Sequence, residues 1–240
     1  MTAVTIIRLK IQTMSELRLN QRRSSTVTDI VEGPLTRWLF SQSSARHTLW
    51  RELDLPIPAR IAFELKPPEI HGKSTVPGNI DVLVCHPAKP DRAVVFESKR
   101  VKVKPQTFET LLPGKLRELE KKGTRQATGL HEKQFHRNWL LVCVAIDGRE
   151  RHGKFFSRGL SGPLVKTIYD YVNNLVLRPG VGVVVVEICQ PVDDPIEDAG
   201  SMVIKVVREP TPQTQPDHVT QWVRSQIGPG EMSQWSRRRQ

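Results

Sequence analysis

Val94-Val95-Phe96-Glu97-Ser98-Lys99-Arg100 is the stretch on which the fold turns: an apolar run enters it and charged residues leave it. Side chains alternate faces along a strand, so Glu97 and Lys99 point one way while Phe96 and Ser98 point the other. A carboxylate and an ammonium are poor core residues unless they are paired. Their place at the end of an apolar strand predicts a site at the edge of the core. Upstream, Gly78-Asn79-Ile80-Asp81-Val82-Leu83-Val84 sets an aspartate at the mouth of a second apolar strand. If these strands pair as a hairpin, Asp81 lies opposite Glu97 and Lys99, and two carboxylates converge on one lysine.

Outward from this pair the chain divides into elements. Val31, Leu35, Trp38 and Leu39 recur at helical spacing, with Thr28 or Asp29 as a cap and Gly33-Pro34 near the start. Pro56 and Pro58 break the chain before a first strand at 60–65. Strands at 80–85 and 93–103 follow, joined across the breaker-rich 86–91. A polar helix is predicted at 116–135, weakened by Gly123 and Gly129, and then a buried strand at 139–146. Gly162-Pro163 opens a helix with Leu164, Ile168, Val172 and Leu175 on one face. Strands at 182–189 and 202–207 flank an acidic loop as a candidate hairpin, and a short helix is expected at 217–227. The order helix, three strands, helix, strand predicts an α/β fold, an αβββαβ core on a mixed central sheet with a peripheral C-terminal helix and strands. The expected organisation is a lead at 1–27, one domain at 28–207 (core 28–146, additions 160–207), and a partly disordered basic extension at 208–240.

Two carboxylates and a lysine suit metal-assisted phosphodiester hydrolysis. Magnesium prefers oxygen ligands, and Asp81, Glu97 and the backbone carbonyl of Ser98 offer one each. Such an ion polarises a phosphoryl oxygen and lowers the pKa of a bound water. Lys99 then orients the water or offsets developing negative charge. The plain alternative is a structural salt bridge at a strand end. Glu-x-Lys alone carries little information, because it recurs at Glu64-Leu65-Lys66 and Glu120-Lys121-Lys122. What sets Glu97-Ser98-Lys99 apart is the apolar strand entering it and the aspartate-bearing strand before it.

On these residues the chain resembles the PD-(D/E)XK nuclease superfamily, the restriction-endonuclease-like proteins, over residues 28–146. That family carries an acidic residue on its second core strand and Glu-x-Lys on its third. Asp81 and Glu97-Ser98-Lys99 match, with fifteen residues between Asp81 and Glu97. The resemblance implies a Mg2+ cofactor, with Mn2+ expected to substitute, and Asp81, Glu97 and Lys99 as the catalytic set. Glu32 matches an additional acidic ligand that some members place on the first helix; a helix-start carboxylate is its competing reading. Gln126 resembles a glutamine that an exonuclease-like branch sets near the site, against the plain reading of a solvated helix residue. The proline that names the motif is absent before Asp81, where Asn79-Ile80 stand instead. That proline is not a ligand, so the chemistry does not depend on it.

The whole chain fits a nucleic-acid partner. Its 240 residues make one large domain or one with appendages. Lys and Arg total 36 against 25 Asp and Glu, a formal charge of +11 that favours a polyanion. Between Lys99 and Arg125 nine bases face three acids, so the charge gathers beside the candidate site. Arg100, Lys102, Lys104, Lys115, Lys121, Lys122 and Arg125 are the expected backbone contacts. DNA is the expected substrate; RNA stays open, because phosphate contacts do not distinguish sugars. A non-catalytic nucleic-acid-binding module on the same fold, alone or as a subunit of a larger complex, is the competing class. No apolar stretch approaches membrane-spanning length, and a homo-oligomer stays open. Three widely spaced cysteines argue against a disulfide framework, and residues 1–15 lack a signal-peptide pattern, so a cytoplasmic location is expected. The spacing of His131 and His136 is not that of a zinc pair, and His71, His86 and His152 read as loop residues. Trp38, Trp50 and Trp139 read as core, while Trp222 and Trp235 are candidates for stacking on bases.

Overall fold

The computed structural model of the chain describes residues 4–8, 31–41, 43–69, 78–103, 108–147, 163–190 and 201–227. Seven strands form one sheet: β1 (Val4–Arg8), β2 (Arg60–Leu65), β3 (Ile80–His86), β4 (Lys89–Val103), β5 (Arg137–Asp147), β6 (Gly182–Gln190) and β7 (Ser201–Arg208). Their order across the sheet is β1-β7-β6-β5-β4-β3-β2. The central β4, β5 and β6 run parallel and every other neighbouring pair is antiparallel, so the fold is mixed α/β. Among the described residues six α-helices accompany them: α1 (Glu32–Ser41), α2 (Ser43–Glu52), α3 (Phe108–Glu118), α4 (Thr124–Glu132), α5 (Pro163–Asn173) and α6 (Asp217–Gln226). Among the described residues no helix is long and apolar enough to cross a membrane.

Strand alternation divides the core into two layers. Val82, Val84, Val94, Phe96, Trp139 and Val184 face α1 and α2, which bury Leu35, Trp38, Phe40 and Trp50 against them. Phe40 meets Phe96 edge-on, with ring centroids 4.9 Å apart. On the other side Val101, Leu140, Val142 and Val185 pack beneath Leu116, Leu119, Ile168 and Val172 of the helices that follow β4 and β5. The central strands are covered on both sides, which is why β5 reads as an unbroken apolar run over 139–146 and β6 as one over 182–186.

Several expectations need correction. The lead and the extension are not separate from the domain. β1 pairs with β7 at the edge of the sheet, and α6 buries Val219, Val223 and Ile227 against Leu83, Val95 and Phe135. Nor is the segment after 160 peripheral, because β6 pairs with β5 along nine registered positions next to the centre of the sheet. β4 begins at Lys89, so the turn after β3 is shorter than the loop expected at 86–91. The helix expected at 116–135 starts at Phe108 and is broken by a π-helical turn at Leu119–Gly123. α2 was not anticipated: its ten residues are polar on average, and burial of Ala45, Leu49 and Trp50 holds it. Cys85 and Cys143 are buried free thiols, as expected, and burial pushes both to about 12. The capping residues Thr28 and Asp29, Lys104, His71, His152, Trp235 and the arginine tail lie outside the described residues.

Candidate active site

The hairpin of β3 and β4 brings the acidic pair together. Val82 is in register with Phe96, so one step farther out Asp81 faces Glu97. Asp81 Oδ2 accepts the backbone N–H of Ser98 at 2.6 Å, which ties its carboxylate to β4. Glu97 is 1% exposed, and Lys99 Nζ reaches its Oε1 at 2.5 Å. The same ammonium lies 3.4 Å from Glu32 Oε1 and donates to the Ser98 carbonyl at 2.9 Å. Glu32, the first residue of α1, also accepts the Arg100 backbone N–H at 2.8 Å. It is therefore a bridge from α1 to β4 as well as a carboxylate at a helix start. Ser98 points away from this cluster, as alternation requires. Its hydroxyl is 2.7 Å from Thr36 Oγ1, which donates to the Glu32 carbonyl at 2.9 Å. That pair of bonds fixes how the first turn of α1 sits over β4.

Burial and like charge dominate the electrostatics. Burial pushes Asp81 up to about 6, against the Ser98 N–H and Lys99, with Glu32 and Glu64 adding to the rise. Burial followed by the neighbouring Asp81 pushes Glu97 to about 8, although Lys99 opposes this. Burial works to lower Lys99, but Glu97 and Glu32 outweigh it and hold the ammonium above its ordinary value. The second oxygen of Glu97, Oε2, is buried without a hydrogen-bond partner. Two facing carboxylates, of which Asp81 suppresses the ionisation of Glu97 and Glu97 has an orphaned buried oxygen, suit a hard divalent cation. Among the described residues no three His, Cys, Asp or Glu side chains gather closely enough to form a metal cage. Magnesium commonly takes only one or two carboxylates and keeps waters, so the Asp81 and Glu97 pair fits that ion. The Ser98 carbonyl is less available than expected, because Lys99 already donates to it.

A cleft of about 300 Å³ opens beside the cluster, between Glu32, Lys99 and Arg100 on one side and Lys115, Lys122 and Gln126 on the other. Two glycines let its parts close up. A Cβ on Gly123, in the π-helical turn, would lie 3.1 Å from Lys99 Cγ. Gly78, at φ +100°, leaves the space that the Gln126 amide fills. Of the expected backbone contacts, Arg100, Lys115 and Lys122 reach this cleft, and Lys115 and Lys122 both pair with Glu118. Lys121 and Arg125 are exposed but do not line it, and Lys102 falls by alternation on the opposite side of β4.

Sequence reasoning passed over Glu64, setting Glu64-Leu65-Lys66 aside as an uninformative copy of the motif. Its φ of 56° is unusual for a glutamate, it pairs with Arg37 at 3.4 Å, and it adds to the rise of Asp81. The only signal was its presence on the strand that pairs with β3. Trp222 packs edge-on against Phe135, with centroids 5.8 Å apart, where base stacking had been a candidate role. Compared with known proteins, the chain matches no family model, no curated sequence and no solved structure.

Proposed function

We propose that the protein is a metal-dependent nuclease that hydrolyses phosphodiester bonds, with DNA as substrate, in the manner of the PD-(D/E)XK enzymes it resembles in sequence. One observation carries this reading. Glu97 is buried with an unpartnered oxygen, faces a second carboxylate, and is approached from the cleft side by a lysine. A structural ion pair needs one acid; two buried facing acids, with Asp81 raising the pKa of Glu97 and both held up by burial, call for a cation. Asp81 and Glu97 would hold Mg2+ or Mn2+, with Glu32 as a further carboxylate at the mouth. The bound ion would supply Lewis-acid polarisation of the phosphoryl group and a more acidic water. Lys99, held between Glu97 and Glu32, places a fixed positive charge where negative charge grows on the phosphate. Arg100, Lys115 and Lys122 at the cleft offer backbone contacts that carry affinity without reading sequence.

The competing reading, a binding module without catalysis, is favoured by the ion-pair network, since Lys99 already pairs with both Glu97 and Glu32. Incubation with supercoiled and linear DNA, with and without magnesium, separates the two. Metal-dependent nicking of circles supports an endonuclease, and degradation of linear DNA alone supports an exonuclease. Retention of both DNAs intact, with salt-sensitive binding, would leave the binding module.

A further inference from the structure

A second cleft, of about 480 Å³, lies at the opposite end of the β3–β4 hairpin from the carboxylates. Lys99 is seven residue steps along the strand from Arg92, roughly 23 Å at the rise of an extended chain. The two clefts share no lining residue. This second cleft has walls of two kinds. Leu55, Pro56, Ile57 and Pro212 form an apolar side; Lys89, Arg92, Arg137, His86 and His136 form a basic one.

The basic side combines built and open groups. Arg137 is fixed, with Nη2 donating to the Asp54 carbonyl at 2.6 Å and Nη1 to the Leu53 carbonyl at 3.3 Å, so it closes the end of α2 while its charge stays at the cleft. His136 Nδ1 donates to the Gln213 carbonyl at 2.9 Å, which orients its ring. His86 Nδ1 accepts the Ala88 N–H at 3.0 Å, so the neutral ring carries its proton on Nε2 and remains a donor. Lys89 and Arg92 are exposed, and neither forms an ion pair among the described residues. One acid, Asp54, also lines the cleft, its Oδ2 4.0 Å from Arg137, and Glu209 acts on the same guanidinium. Positive charge therefore exceeds negative at the cleft.

Fixed donors and open cations opposite an apolar wall suit a ligand with an anionic head and a flat apolar body, and the volume is that of a small-molecule site. The geometry points to a second, nucleotide-binding subsite: Lys89, Arg92 and His86 hold a phosphate, and Ile57 and Pro212 receive the attached nucleoside. The nucleotide is either a free nucleoside monophosphate or one unit of a bound strand. The subsite does not depend on the chemistry assigned to Asp81, Glu97 and Lys99.

The test follows the His86 and His136 imidazole signals of the full chain by NMR, in EDTA so that no strand is cut. The probes are adenosine 5′-monophosphate, adenosine, inorganic phosphate and tetrathymidylate without terminal phosphates. Adenosine monophosphate or the tetranucleotide should shift both signals, and should do so equally in Lys99→Ala, which locates binding away from the carboxylates. Arg92→Ala combined with Lys89→Ala should weaken that binding at least about tenfold, as loss of charge-assisted contacts to phosphate requires. Saturation by the monophosphate alone identifies a free nucleotide, and saturation by the tetranucleotide identifies a strand. No shift with either probe, or binding of inorganic phosphate as tight as that of adenosine monophosphate, overturns the subsite. Magnesium-dependent cleavage, scored separately in the unmodified protein, reports on the nuclease reading alone.

Discussion

Lys99 touches both Glu97 and Glu32, yet it offers no ligand atom for a cation. Its part in the proposed reaction therefore lies with the phosphate and not with the metal. Lys99→Ala should lower the cleavage rate on the order of a hundredfold, the usual effect of removing one preorganised electrostatic donor. DNA affinity should weaken only slightly, since one phosphate contact among many is a small share of the salt-dependent term. Cleavage at the wild-type rate under saturating magnesium would remove Lys99 from the mechanism. A second buried acid permits a test without DNA. Glu187, on β6, has both oxygens buried, and burial, only partly offset by a hydrogen bond from Tyr169 and the charge of Lys205, pushes its pKa from 4.5 to about 7. Between those values the folded protein holds a proton that the unfolded chain has released. Stability must then fall as pH rises through that window. Glu187→Gln should flatten the decline by about 1.4 kcal/mol per pH unit, read from urea unfolding at several pH values. Asp81 and Glu97, whose raised values act in the same direction, contribute to the slope that the variant keeps. Equal slopes in both proteins would contradict the burial of Glu187.

At the scale of elements, the π-helical turn and the chain entering β3 shape the candidate site. An ordinary helix through Leu119–Gly123 was the simpler expectation. The extra residue in the turn accompanies Gly123 where the helix crosses the stem of Lys99. Gly78 does the matching task at the start of β3. Its φ of +100° disfavours any L side chain, and an added Cβ would overlap the Gln126 amide. Gly78→Ala should destabilise the fold by about 1–3 kcal/mol, measured as a shift of the urea midpoint. Pairing it with Gln126→Ala should recover only part of that loss, because the second change relieves the overlap and not the backbone strain. Full recovery would mean that the backbone at Gly78 is not strained.

At the scale of the molecule, the sheet joins residues from both ends of the chain. Removing everything after residue 208 would strip Val219, Val223 and Ile227 from the core they share with Leu83, Val95 and Phe135. Each such side chain contributes about 1.5–3 kcal/mol when fully buried, and a domain has only about 5–15 kcal/mol in total. The truncated chain should fail to fold cooperatively, seen as loss of a sharp thermal transition by circular dichroism. A transition unchanged in midpoint would show that α6 is an appendage, as its Pro- and Gln-rich surroundings had suggested.

The sequence by itself determined the β3–β4 hairpin and its facing pair Asp81 and Glu97, because alternation with a period of two is a local property. It also determined the apolar central strands and the side on which Lys99 lies. Tertiary structure alone decided that Glu32 reaches across to Lys99 and the Arg100 amide, a contact spanning sixty-seven residues to Lys99. It likewise decided that Glu64 acts on Asp81, that His86, Arg92 and His136 share one cleft, and that β1 and α6 belong to the core. Such contacts depend on which surfaces the whole chain leaves to be covered. No periodicity within a single segment carries that information.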